Sequence, residues 1–235
     1  MKKFQCSSEP TPFSRLRSIL ARKKDPVVIV LDLETNGLGS RYSVLSVTAE
    51  KYLYSHPELE RIGRFHRFYF PREPENPDAI RVNGLTWERI QKEREGKGWP
   101  AYFDEDYEFV EFCRGVDLLV GHNIHFDLKF IPFLKEVDWF CTMKSHTTGK
   151  FPSLEKLAMR YGIPVLKDRL HQGDYDVALT VAIFRKILQD LEIYTMLESR
   201  GEPTERLSSK SVGEVERFLE VWNRLFPLGN PPGEE

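Results

Sequence analysis

Val27-Val28-Ile29-Val30-Leu31-Asp32-Leu33-Glu34-Thr35-Asn36-Gly37 is the stretch from which the fold is read. It opens on an apolar, largely β-branched run, the pattern of a buried strand. Two carboxylates follow at the end of that run. Strand side chains alternate between faces, so Asp32 and Glu34 point the same way. Two like charges beside a buried run repel, and one carboxyl tends to keep its proton unless a cation joins them. A solvated strand end is the other reading of the same two acids.

Working outward, residues 43–54 and 63–70 read as two further strands. Pro71, Pro74 and Pro77 close that segment. A helix is predicted near 86–95 with Thr86 as its N-cap, followed by a loop over 96–100. Residues 105–113 read as a helix and 117–121 as a short apolar strand. A helix is expected over 127–136, with Pro132 in its first turns or kinking it. Ser153 can cap a helix over 154–161. The longest helix begins at Asp174 or Tyr175 and runs to Leu191, apolar at Val177, Val181, Phe184 and Leu188. Strands first and alternating helices later argue a mixed α/β sheet flanked by helices.

The ends differ from the middle. The first 24 residues carry seven basic side chains against one acid. Residues 1–25 are therefore read as a basic extension, a solvated leader with a short amphipathic helix over 13–22. Residues 26–192 form the main domain. Residues 193–235 form a helical extension, with an amphipathic helix over 211–225 and a frayed end.

The 235 residues carry 34 basic and 36 acidic side chains, and 40% are hydrophobic. That hydrophobic share excludes a disordered chain. No apolar run approaches the roughly 20 residues of a membrane span, and no apolar core follows the basic start as in a secretory leader. Cys6, Cys113 and Cys141 form no CxxC pair, which suggests a reducing, cytoplasmic setting. The net charge of −2 counts at first against a phosphate-tracking groove.

Two more clusters carry chemistry. Gly121-His122-Asn123-Ile124-His125-Phe126-Asp127 follows the short apolar strand. Its HxxH spacing resembles a zinc pair, but no further His or Cys nearby completes a tetrahedral site. His171-Gln172-Gly173-Asp174-Tyr175-Asp176 opens the long helix. A histidine is the side chain suited to take a proton near neutral pH. Carboxylate donors suit Mg²⁺ or Mn²⁺. Two such ions, about 3.5–4 Å apart, suit phosphodiester cleavage.

Together these motifs resemble the DEDDh branch of the 3′→5′ exonuclease superfamily, which includes proofreading epsilon-type exonucleases, RNase T and oligoribonuclease. Asp32-Leu33-Glu34-Thr35-Asn36-Gly37 matches its first motif. Gly121 to Asp127 matches the second. His171, Asp176 and Thr180 match the third, and Asp176 is preferred over Asp174 on that spacing. Residues 79–86, 142–144 and 152–158 resemble ancillary segments. Cys141 and Val177 depart from the usual Asp and Ala.

The resemblance implies a ribonuclease H-like mixed sheet and stepwise removal of nucleoside 5′-monophosphates from a 3′ end. It implies that Asp32, Glu34, Asp127 and Asp176 hold two Mg²⁺ or Mn²⁺ ions and that His171 is the general base. Thr35 would contact the terminal 3′ hydroxyl and Leu38 a base. Asn123 and His122 would order the site or meet a phosphate. Two bound divalent ions bring the net charge to about +2, which removes the charge objection. The expected partner is a single-stranded 3′ end, DNA ahead of RNA. The C-terminal extension, with its apolar Leu225-Phe226-Pro227-Leu228, is a candidate contact for a DNA polymerase or clamp. RNA 3′-end trimming and a tethered binding module without activity are the alternatives.

Overall fold

The computed structural model describes residues 12–146 and 150–199. The expected amphipathic helix over 211–225, the frayed end and the apolar 225–228 patch lie outside the described residues, as do Lys2, Lys3 and Cys6.

Five strands form one sheet in the order β3-β2-β1-β4-β5. They are β1 (Val27–Thr35), β2 (Val44–Ser55), β3 (Glu58–Phe68), β4 (Leu118–Gly121) and β5 (Asp138–Cys141). β1, β2 and β3 pair antiparallel, while β4 and β5 join parallel. The result is the mixed, helix-flanked sheet that the order of elements implied. β1 is central and its apolar positions from Val28 onward are buried on both faces, which accounts for its continuous apolar run.

The helices are α1 (Pro12–Leu20), α2 (Pro77–Asn83), α3 (Trp87–Arg94), α4 (Tyr107–Phe112), α5 (Ile124–Asp127), α6 (Thr142–Ser145), α7 (Leu154–Arg160) and α8 (Gly173–Ser199). Among the described residues, no helix is long and apolar enough to cross a membrane. Thr86 and Ser153 cap α3 and α7, accepting from Arg89 N and Lys156 N.

Period-two alternation decides what each face of β1 meets. Val28 and Val30 pack with the α8 residues Val177, Val181 and Phe184. Ile29, Leu31 and Leu33 pack with Phe109, Leu119 and Ile124 on the other face. Asp32 and Glu34 continue the row of Val28 and Val30, so they face the start of α8.

Several expectations are corrected. The helix over 127–136 is absent: α5 ends at Asp127, and only a 3-10 turn, Pro132–Leu134, follows. Pro132 supplies no N–H to continue a helix. Asp127 therefore closes a short helix and does not open a long one. β3 starts at Glu58, five residues earlier than predicted. α2 and β5 are a helix and a strand that the sequence pattern does not predict. α2 forms because Pro77 occupies the first turn and the Asn76 side chain accepts from Asp78 N. α8 begins at Gly173 and continues past Leu191 to Ser199.

The basic start is not a free leader over its described part. α1 buries Phe13, Leu16, Ile19 and Leu20 in the α8-side core. Arg22 pairs with Asp138, and Lys23 with Asp117 at 2.8 Å. Those charges are spent within the fold.

Candidate active site

The carboxylates converge where the end of β1 meets the first turn of α8. Asp32, Glu34 and Asp176 each offer an oxygen within 4.8 Å of the others. Among the described residues they form the one such group of acids, histidines or cysteines. Asp127, at the end of α5, is tied to β1, its Oδ1 accepting from Leu33 N at 3.0 Å. Asp174 pairs with Arg169 at 3.1 Å, so Asp176 is the acid of this segment that joins the group.

Burial and mutual repulsion set the charge state. Burial, then the Asp176 charge, raises the Asp32 carboxyl from 3.8 to about 7. Burial raises Asp176 to about 6, against the lowering effect of the His171 N–H. Glu34 and Asp127 are also raised, chiefly by burial and then by Asp32. Packed acids held above their ordinary range are an arrangement that a cation relieves.

The donor set fits a hard divalent cation. All the candidate ligands are carboxylate oxygens, the type that Mg²⁺ and Mn²⁺ take. Asp176 Oδ1 is buried and has no hydrogen-bond partner, a rare and costly state for a polar atom. A cation held by the group would supply that partner.

His171 is exposed at the mouth of this group. Its φ is +63°, a region a non-glycine residue adopts only when its surroundings hold it there. Its backbone N–H donates to Asp176 Oδ2 at 3.1 Å. Thr180 Oγ1 donates to the Asp176 carbonyl at 2.8 Å and stays within α8.

A cleft of about 770 Å³ opens over the group. Thr35, Leu38, Asn123 and His171 all line it. Leu38 is 81% exposed on its rim. Thr35 is buried, and its hydroxyl donates to the Gly37 carbonyl at 2.8 Å. Asn123 has φ +69°, the left-handed conformation that asparagine tolerates best.

His122 is not brought to the cleft. Its Nδ1 lies 3.0 Å from Thr142 Oγ1, and burial lowers its pKa to about 4. His125 packs edge-on against Trp139. Neither histidine of the HxxH pair joins a group of candidate metal donors among the described residues.

Sequence reasoning passed over several cleft residues. Tyr42, Val82, Asn83 and Phe126 line it. Asn83 Nδ2 donates to the Thr35 carbonyl at 3.2 Å, which ties α2 to the end of β1. The ancillary 79–86 segment was the signal for that contact. His66 was also missed. Its Nδ1 meets Thr48 Oγ1 at 2.7 Å, and Thr48 faces Asp32 across the β1–β2 ladder. No signal in the sequence marks His66.

Comparison with known proteins agrees with this geometry. The DNA polymerase III epsilon subunit of Pasteurella multocida is 28% identical over 182 residues, covering 66% of this chain and 66% of that one. The chain thus spans just under two thirds of that relative. A PolC-type DNA polymerase III of Staphylococcus aureus is 26% identical over 200 residues, 80% of this chain and 13% of the polymerase. Among solved structures, an E. coli ExoI–ssDNA complex superposes with a TM-score of 0.56 at 15% identity, over 73% of this chain and 43% of that one. Exonuclease X in complex with 5′ overhanging duplex DNA gives 0.52 at 19%, over 77% and 97%. These neighbours share the ribonuclease H-like fold. The RNase_T exonuclease family matches residues 29–184, well over half of the sequence, and the chain belongs to that family.

Proposed function

We propose that this protein is a metal-dependent 3′→5′ exonuclease that shortens single-stranded or frayed DNA 3′ ends and releases nucleoside 5′-monophosphates. The observation that carries the reading is the convergence of Asp32, Glu34 and Asp176 within 4.8 Å beneath a cleft with an exposed histidine at its mouth. The family match and the epsilon-type relatives support it.

In this reading Asp32, Glu34, Asp127 and Asp176 hold two Mg²⁺ or Mn²⁺ ions. The ions supply charge neutralisation and lower the pKa of a bound water. His171 accepts the proton of the attacking water, whose oxygen bonds to phosphorus as the 3′ oxygen of the preceding nucleotide leaves. His171 is free to do so because its structural bond to Asp176 uses the backbone N–H and leaves the imidazole unspent. Leu38 packs on the terminal base from the rim, and Thr35 and Asn123 border the sugar and phosphate. His122 orders the second motif through Thr142. DNA is favoured over RNA because the epsilon and PolC relatives are DNA polymerase components. The same relatives support a polymerase partner, and the cytoplasm as the setting.

The test is a panel of 3′- and 5′-labelled single-stranded DNA, duplex with a mismatched end, and RNA. Each is incubated with Mg²⁺, Mn²⁺ or EDTA. Loss of label from the 3′ end, with mononucleotide products and no turnover in EDTA, is expected. Release from the 5′ end, or activity in EDTA, overturns the reading.

A further inference from the structure

At the opposite end of β1 from the carboxylates, Tyr54 N donates to the Pro26 carbonyl at 3.0 Å. There a groove of about 740 Å³ opens between α1, the second half of α8 and the last residues of β2. Leu20, Tyr54, Leu188 and Leu191 form its buried apolar floor. Ile193 and Met196 are half-buried along it. Of the charged side chains that line it, His56 and Glu192 pair at 3.5 Å. The groove therefore offers a ligand chiefly apolar contact.

Eleven residues line it, about half of the roughly 20–30 per side in a stable protein–protein interface. That is too little for a second copy of the chain, but it suits one amphipathic helix laid into a groove. The sequence holds such a helix within reach. Val215, Phe218, Leu219, Trp222, Leu225 and Phe226 recur at the helical i, i+3, i+4, i+7 spacing. Arg217, Glu220 and Arg224 fall on the other face of the same helix. Ser211 and Glu214 have the spacing of a capping box, and Pro227 marks the end. Residues 1–11 carry no such row. α8 forms one wall of the groove and ends at Ser199, just beyond Met196. Residues 200–210 join α8 to the segment. Antiparallel helices need a connection of only about 2–8 residues, so these eleven bring the segment back along α8. The tether holds it beside the groove at an effective concentration on the order of millimolar.

We propose that residues 211–226 dock in this groove as a helix antiparallel to α8, with Phe218, Leu219, Trp222 and Leu225 against the leucines of its floor. Docking extends the apolar core that α1 and α8 already share. The segment is then the last element of the domain, and any partner that takes it has to displace it from the groove. The inference uses neither the carboxylates nor a metal, and it stands apart from the exonuclease reading.

The experiment follows amide hydrogen exchange of the full chain, with a synthetic peptide of residues 211–226 as the undocked reference. Amides of 212–226 in the parent should exchange at least about tenfold more slowly than in the peptide. That protection should hold across a dilution series, with the chain monomeric by sedimentation. Ala21 and Thr195 are exposed along the groove, so Ala21→Arg with Thr195→Arg places two guanidinium groups in it and leaves the core intact. This double variant, and Trp222→Asp, should return the segment to the peptide's rate while β1 amides stay as slow as in the parent. Where the pair quickens β1, Thr195→Arg alone carries the comparison. Trp222 emission, taken as the difference from Trp222→Phe, should shift to the red in the groove variants. Glu220→Gln, on the other face, should change neither readout. Exchange at the peptide's rate in the parent would overturn the proposal. Protection that survives the groove variants puts the segment elsewhere and overturns it too. So does protection that disappears on dilution together with a dimer, which gives the groove to a second copy.

Discussion

The backbone N–H of His171 donates to Asp176 Oδ2 at 3.1 Å, while Asp176 Oδ1 stays buried and without a partner. One carboxylate thus does two things. One oxygen clamps the loop that presents the imidazole, and the other is left without a partner. The proposed base and the proposed ligand are set by a single turn at the start of α8.

His171→Ala tests the base without breaking the clamp, because the clamp is a backbone bond. Loss of a general base costs about 10²–10⁴-fold in the chemical step. We expect that fall in kcat, with 3′-end affinity in EDTA within a few-fold of the parent. Single-turnover digestion and anisotropy measure the two. Digestion at the parental rate would remove His171 from the mechanism.

The raised carboxyls make metal-free stability depend on pH. Asp32 moves from 3.8 to about 7 and Asp176 to about 6, so between these values the native state binds more protons than the unfolded state. Their stabilisation is full below about pH 4 and is lost as pH rises through about 6 to 7. Metal binding needs the ionised forms and runs the other way. Mn²⁺ at one hundred times Kd contributes about 2.7 kcal/mol, or about 5–10 °C for a domain of this size. Thermal melts should show that shift at pH 8 and a much smaller one at pH 5. Equal shifts at both pH values would sink the assignment.

Gly173 has no room for a side chain. A Cβ there would lie 2.8 Å from Thr48 Oγ1 and 3.7 Å from Asp32 Oδ2. Thr48 is itself held by His66 at 2.7 Å. Gly173→Ala should cost about 1–3 kcal/mol and weaken Mn²⁺ binding by pushing α8 off β1. Adding Thr48→Ala should recover part of the metal affinity. Urea unfolding and calorimetry check this, and a fully additive pair would argue that the two residues do not press on each other.

Asp106 offers a stability test away from the chemistry. Its fully buried carboxylate accepts from Arg67 at 2.9 Å and Tyr69 Oη at 2.8 Å, and it caps α4. Asp106→Ala leaves Arg67 without its buried partner, which should cost about 3–5 kcal/mol. kcat should be unchanged below the melting range. A loss under about 1 kcal/mol in urea unfolding would contradict it.

Where a residue's neighbours along the chain decide its state, the amino-acid order was sufficient. The run from Val27 to Leu31 implied a buried strand, and alternation alone put Asp32 and Glu34 on one face. Thr86 and Ser153 marked helix starts because a cap is a bond to a residue three positions on. The three motifs that carry the family resemblance were legible for the same reason, each being a short run of neighbouring residues. α2 was hidden because three prolines read as a boundary, although Pro77 is in the first helical turn, where no N–H is needed for an intrahelical bond. β5 was hidden because four residues between turns carry little periodicity.

What joins these local pieces was decided only by tertiary structure. Sheet order and register bring α8 to the end of β1, so that Asp176 meets Asp32 and Glu34 while Asp174 turns to Arg169. The same packing sends His122 to Thr142 and spends Arg22 and Lys23 on Asp138 and Asp117. Periodicity and capping specify a strand or a helix start. They carry no information on which distant carboxylate shares a site, because that depends on where the sheet returns the chain.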